Sequence, residues 1–307
     1  MRVARPSLPP TLVQTSLAAQ ATTESSTALV KLTGKTETTA FKVPDGKAAP
    51  VAAAAANFLF RLGSGALCVG YEVEIVDDVP AEYSVARGNG KMAREKSAVA
   101  TFKRPAQNLV LYEFEGCPFC RKVREAINML DLNVEMRPCP QGGTVFREEA
   151  KARGGKAMFP FLVDPNTGKE MYESDDIIAY LFAEYGPGAD KVPTLLKLGF
   201  LTTLTVGLGL LPRGGAGSSY KPSTMPEEPL VFYGYDVSPF SKIVREELCA
   251  REIPHVWKTC ARGSPTRQEM FDKLGFAQFP YIEDPNTGVN MIESADIIDY
   301  LSKQYGK

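Results

Sequence analysis

Histidine is almost absent: His255 stands alone in 307 residues. That excludes a zinc site built on two or three histidines and leaves any Ser-His-Asp or Cys-His mechanism a single imidazole. Cysteine is scarce too, and six in a chain of this length are too few for a disulfide-stapled secreted scaffold. Net charge is nearly missing, with 35 Lys and Arg against 36 Asp and Glu. No diffuse basic field is available to hold a phosphate backbone, so nucleic-acid binding by charge is set aside. With 44% hydrophobic and 23% charged residues the chain is no acidic disordered tail. Its length suits about two domains at ~100–200 residues each.

Acid is missing from the beginning of the chain. Glu24 is the first Asp or Glu, Arg2 and Arg5 precede it, and Ser and Thr fill nine of the first thirty positions. This is the composition of an organelle transit peptide, an address and not a core-forming element. A plain disordered tail has a similar composition. Residues 1–50 are therefore expected to be transit-like or disordered, and 51–107 to form a segment ahead of the first domain.

What the chain does have is an internal repeat. Leu109-Val-Leu-Tyr-Glu-Phe followed by Cys117-Pro-Phe-Cys120 returns as Leu230-Val-Phe-Tyr-Gly-Tyr followed by Ser238-Pro-Phe-Ser241, an offset of 121. Phe159-Pro160, Asp164-Pro-Asn-Thr-Gly168, Glu173-Ser174 and Asp176 to Leu181 return from Phe279-Pro280 to Leu301 at an offset of 120. One residue is lost between Cys260 and Pro280. Domains are expected over 108–186 and 230–307.

Within one copy, the apolar run Leu109 to Phe114 suits a buried strand, and Pro118 sits where the first turn of a helix accepts it. That helix is expected to run to Asp131. A strand over 133–137, a helix over 144–153 and a strand over 160–163 follow. Asp164-Pro-Asn-Thr-Gly is a hairpin turn, because Pro presets one turn residue while Asn and Gly tolerate positive φ. A fourth strand runs to Glu173, and Ser174 is expected to cap a helix ending at Tyr185. The order βαβαββα implies a small mixed sheet covered by helices, an α/β class.

The chemistry concentrates at Cys117 and Cys120. A cysteine at a strand-to-helix turn meets free backbone N–H groups and the positive end of the helix dipole, which stabilise thiolate over thiol. Arg121 and Lys122 are expected to add positive charge, and Cys120 is one turn away, as a two-thiol redox centre requires. Half of a zinc site and two structural thiols are the alternatives. Zinc needs two more ligands, for which Cys139 and distant His255 are poor candidates, so no metal site is expected.

The Cys-Pro-Phe-Cys turn, the X-Pro before the third strand and the Glu-Ser at the last helix resemble the glutaredoxin family and the thioredoxin-fold N-terminal domain of glutathione S-transferases. The tandem arrangement is similar to plant and algal plastid proteins with two such domains. The resemblance implies two tandem thioredoxin-like domains, with Cys117 as nucleophile and Cys120 as resolving thiol. It further implies that Pro160 is cis, that the Phe159 backbone pairs with glutathione, and that Glu173 and Ser174 hold its γ-glutamyl end. Glutathione is then the co-substrate, a protein disulfide or glutathionylated protein the partner, and a chloroplast, at the stroma or thylakoid surface, the location, with the mitochondrion as alternative. One departure stands out. Glutaredoxins place a lysine just before the turn for the glycine carboxylate, whereas Glu113, Glu115 and Gly116 precede Cys117 here.

The second copy keeps the frame and loses the thiols. Ser238 and Ser241 cannot exchange disulfides, and Phe279, Pro280, Glu293 and Ser294 complete a degenerate site. A transferase is disfavoured because the helical domain that supplies the electrophile pocket is not represented. Cys249 reads as packing, and Cys139 and Cys260 end equivalent strands. Between the copies, 187–229 reads as a linker. Thr194–Leu211 carries one charge, Lys197, in eighteen residues, close to the ~20 that span a bilayer. Ala52–Val69 is a weaker apolar stretch, broken by Arg61. A helix packed on the domains or lying at a membrane surface is expected at 194–211, with a flexible linker from Arg213 to Pro229. Three functions are compatible: a glutathione-dependent thiol–disulfide oxidoreductase, a non-catalytic scaffold or assembly factor, and an iron–sulfur cluster shared by Cys117 and glutathione in a dimer, the last not favoured.

Overall fold

The computed structural model describes residues 29–34, 43 and 48–307. The expected transit-like segment lies mostly outside them. Ahead of the repeats come α1 (Ala48–Phe60) and a three-stranded antiparallel sheet of β1 (Glu72–Asp77), β2 (Arg87–Gly88) and β3 (Lys91–Lys96), ordered β1-β3-β2. The first repeat is β4 (Leu109–Glu113), α2 (Pro118–Leu130), β5 (Val134–Pro138), α3 (Phe146–Gly154), β6 (Phe161–Asp164), β7 (Lys169–Met171) and α4 (Ser174–Tyr185). Two helices, α5 (Thr194–Lys197) and α6 (Phe200–Leu210), then lead to the second repeat. That repeat is β8 (Leu230–Gly234), α7 (Pro239–Ala250), β9 (His255–Thr259), α8 (Thr266–Leu274), β10 (Tyr281–Asp284), β11 (Val289–Ile292) and α9 (Ser294–Tyr305). Both copies are βαβαββα, and the lost residue falls in the loop before α8.

The two repeats share one sheet. Each contains one parallel pair, β4 with β5 and β8 with β9, in which β5 and β9 are outermost, and β5 pairs antiparallel with β9 in the register Val134↔Trp257, Met136↔His255. The result is eight strands in the order β11-β10-β8-β9-β5-β4-β6-β7. Without this pairing, β5 and β9 would each be an edge strand with open N–H and C=O groups; joining them removes both edges. Leu109, Leu111, Val123, Ile127, Phe232, Val244 and Trp257 lie in one continuous buried cluster across both copies.

Charge follows the same two-fold logic. Glu115 and Asp236 occupy equivalent positions, as do Arg124 and Arg245, and all four are buried. Arg124 reaches Asp236 at 3.0 Å and Glu115 at 3.2 Å, while Arg245 reaches Glu115 and Asp236, each at 3.2 Å. Arg121 pairs with Glu125 and Asp236, and Lys242 with Glu115 at 2.9 Å. Equivalent Asp131 and Glu252 also reach across. Asp131 accepts from the Thr259 hydroxyl, and the Glu252 carboxylate accepts the N–H groups of Thr144, Val145 and Phe146, capping α3 in place of a side chain of its own.

Several expectations are revised here. The apolar stretch 194–211 is broken at Gly199 (φ 53), a left-handed conformation that glycine adopts cheaply. Among the described residues no helix is long and apolar enough to cross a membrane. Thr202, Val206 and Leu210 of α6 are buried, whereas Phe200 and Leu201 stay exposed, as do Phe58 and Leu59 of α1. Arg61, which interrupts the earlier apolar stretch, turns inward to Glu125 at 2.7 Å. The segment expected as a flexible linker is strapped down. Lys221 and Thr224 donate to Ala250 and Tyr305, and Gln141 bonds Ser218 and Tyr220. Residues 29–34, expected to be unstructured, are held by the second repeat through Val30 N–H to Lys273 and Thr33 N–H to Asn290.

Candidate active site

Cys117 sits between β4 and α2 as the N-cap of that helix, its side chain almost fully buried at 4% exposure. Its sulfur accepts the Cys120 N–H at 3.3 Å and lies 4.0 Å from the Phe159 carbonyl oxygen. The Cys120 thiol and the N–H groups of Cys120 and Phe119 draw the Cys117 pKa below the ordinary thiol range, against burial and the charge of Glu113. Cys120 moves the other way. Burial raises it first, and the neighbouring Cys117 and Glu113 raise it further. The two sulfurs are thus shifted in opposite directions, Cys117 toward thiolate and Cys120 toward thiol. All six cysteines are free, and burial pushes the Cys68, Cys139, Cys249 and Cys260 thiols up.

The expected role of Arg121 and Lys122 is corrected. Arg121 is spent on Glu125 and Asp236, and Lys122 on Asp175 at 2.5 Å. The Cys120 thiol, and after it the N–H groups of Cys120 and Phe119 at the helix start, lower the Cys117 pKa instead. The acids before the turn also acquire a reason: Glu115 joins Lys242 and Arg245 of the other repeat, and Glu113 pairs with Arg124. Burial lifts Glu113 to about 7, with Arg124 opposing and Glu115 adding to the rise. Gly116 leaves room for the strapped linker, since a Cβ there would meet the Ser218 hydroxyl at 1.9 Å.

The Phe159–Pro160 bond is cis, as is Phe279–Pro280. Glu173, not Ser174, is the N-cap of α4: its φ of 65° lies outside the helical region, so the helix opens one position later with Ser174 as its first, buried residue. The second copy reproduces this with Glu293 at φ 72°. Its Ser238 oxygen accepts the Ser241 N–H at 3.2 Å, the geometry of the cysteine turn with oxygen for sulfur. His255 is buried on β9, its Nδ1 3.0 Å from the Ile253 carbonyl, and burial lowers its pKa to about 4.

One residue escaped the sequence reading. Arg147, at the start of α3, donates Nε to the carbonyls of Cys139 and Pro140 and lies 5.0 Å from the Phe159 ring centroid. No carboxylate is among these partners. Its counterpart at offset 120 is Arg267, over Phe279 at 5.2 Å. That repeat match was the available signal.

The family model for the glutathione S-transferase N-terminal domain matches residues 111–195 and again 232–307, more than half the chain. The chain belongs to the glutathione S-transferase N-terminal domain family. No curated protein and no solved structure matches it. Two glutathione S-transferase N-terminal domains are therefore present, one with a dithiol at its helix start and one with two serines. Among the described residues no three His, Cys, Asp or Glu side chains converge as a metal site.

Proposed function

We propose that the chain is a glutathione-dependent thiol–disulfide oxidoreductase acting through Cys117 and Cys120, with the second domain silent in redox. The reading rests on one observation: the Cys117 sulfur at a helix start, 3.3 Å from the Cys120 N–H, with its pKa lowered while that of Cys120 is raised. The Cys117 thiolate attacks the glutathione sulfur of a glutathionylated protein. A Cys117–glutathione disulfide forms, and the protein leaves as thiolate, taking up a proton. Cys120 then loses its proton and attacks the Cys117 sulfur, expelling glutathione and closing the Cys117–Cys120 disulfide. Two glutathione molecules reduce that disulfide and leave as glutathione disulfide. The Phe159 backbone would pair with glutathione, Glu173 and Ser174 would take its γ-glutamyl end, and Arg147, beside Phe159 and without a carboxylate partner, would meet the glycine carboxylate. Cys117→Ser should abolish reduction of a glutathionylated substrate; undiminished activity refutes the assignment.

A second reading is a scaffold or assembly factor. The exposed Phe58, Leu59, Phe200 and Leu201 favour it, as they suit a partner or a peripheral membrane contact through 194–211. Recovery of the same complex from plastid membranes by wild type and by Cys117→Ser would support this reading over the enzyme. A plastid location rests on the composition of residues 1–23; import of a fluorescent fusion of that segment tests it.

A further inference from the structure

The serine turn of the second domain opens onto a cavity of about 490 Å³, within the range of small-molecule sites. Ser238, Phe279 and Glu293 line it from the second domain. Tyr83, Ser84 and Val85 line it from the segment between β1 and β2, outside both repeats. Arg262 and Arg267 border the same space.

Arg267 is the unexplained group. Six arginines are at least nine-tenths buried among the described residues, and five of them, Arg61, Arg121, Arg124, Arg245 and Arg251, are paired with carboxylates. Arg267, at 5% exposure, is not. Its Nε donates to the Ala261 carbonyl at 3.0 Å and its Nη1 to the Tyr83 hydroxyl oxygen at 2.8 Å. The ring faces of Tyr83, Tyr235 and Phe279 lie 5.2 to 5.8 Å from its guanidinium. Glu95, the carboxylate whose charge it feels, is taken by Arg262 and by the Tyr71 hydroxyl. Ring faces offset only part of the cost of burying a guanidinium, and an anion in the cavity would supply the rest. The Tyr83 oxygen accepts from both Arg262 and Arg267, which leaves its own O–H to donate to the same anion.

We propose that this cavity binds an organic monocarboxylate with an apolar body. The carboxylate meets Arg267 and the Tyr83 hydroxyl, and the body lies against Val85, Phe271 and Phe276. Glu293 in the lining, which accepts from the Gln278 amide at 2.7 Å, opposes any anion and opposes a dianion such as phosphate more than a monocarboxylate. The site uses no thiol and stands independently of the Cys117 reading. It also gives the segment ahead of the repeats a task, because Tyr83 belongs to neither copy.

Calorimetric titration of the full chain tests this with 4-phenylbutyrate, its uncharged amide and inorganic phosphate. The acid should bind once per chain and the amide at least about ten-fold more weakly, as loss of a charge-assisted pair implies. Arg267→Gln should weaken binding of the acid by about ten-fold or more, and Tyr83→Phe by about three-fold. Circular dichroism checks the fold of each variant, and Tyr83→Phe, which removes one hydroxyl, carries the test if Arg267→Gln does not fold. No binding of the acid, equal binding of acid and amide, displacement by phosphate, or wild-type affinity in Tyr83→Phe each overturns the proposal.

Discussion

Replacing Glu115 by Gln tests whether buried charge holds the two domains together. The carboxylate is fully buried and faces Lys242 at 2.9 Å, Arg245 at 3.2 Å and Arg124 at 3.2 Å. Each contact near 3 Å corresponds to about 5 kcal/mol of attraction at an effective dielectric of ~20, most of it offset by desolvation. Glu115→Gln removes the acid and leaves three cations in place, with Glu113, Asp236 and Glu246 as their remaining acids. Removing one partner from a buried network costs about 3–5 kcal/mol, a large share of the ~5–15 kcal/mol that stabilises a typical protein. Urea denaturation reads the loss as a lowered midpoint. The control is Asp299→Asn, which breaks the exposed Lys303–Asp299 pair and should cost no more than about 0.5 kcal/mol. Adding Lys242→Met to Glu115→Gln should recover part of the loss, because one orphaned cation disappears. A Glu115→Gln cost no larger than that of Asp299→Asn, or no recovery in the double variant, would refute the reasoning.

Glu113→Gln should move the Cys117 thiol further down, since the Glu113 charge raises it. Glu113 titrates at about 7, so the variant should depart from wild type above that pH and converge with it below, read by ultraviolet thiolate absorbance. Arg147→Gln should raise KM for glutathione about ten-fold with the pH profile of Cys117 alkylation unchanged, and an unchanged KM removes Arg147 from the site. Asp164 and Asp284 are held below the ordinary carboxylate range: burial pushes them up, and the hydroxyls of Tyr180 with Tyr185, and of Tyr300 with Tyr305, outweigh it. Their contribution is full above the unfolded carboxylate pKa of about 4 and is lost as pH falls through the lower folded values. Acid denaturation should therefore be less steep in Asp164→Asn, and an unaltered acid limb contradicts this.

The order of elements in each repeat was legible because its signals are local. Apolar runs mark β4 and β8, Pro118 and Pro239 open helices, and Asp-Pro-Asn-Thr-Gly turns a hairpin with Gly168 at φ 71°. Cys117 and Cys120 were legible for the same reason, as three residues of spacing at a helix start bring an N–H to a sulfur whatever surrounds them. Ser174 was misplaced by one position because the choice of cap depends on the φ of Glu173. The small sheet of β1 to β3 went unread, since its strands alternate charged with apolar residues and expose both, Val73 and Ile75 included, so no buried apolar run marks them.

By itself, then, the sequence determined two copies of one fold, with a dithiol in the first and serines in the second. Only the tertiary structure decided how the copies join. The β5–β9 pairing is made by backbone N–H and C=O groups, which every sequence carries alike. The same union explains why Glu113, Glu115, Arg121 and Arg124 are charged yet buried. Their partners lie partly in the other repeat, more than a hundred residues away, and a window read along the chain cannot see a charge that the fold brings beside it.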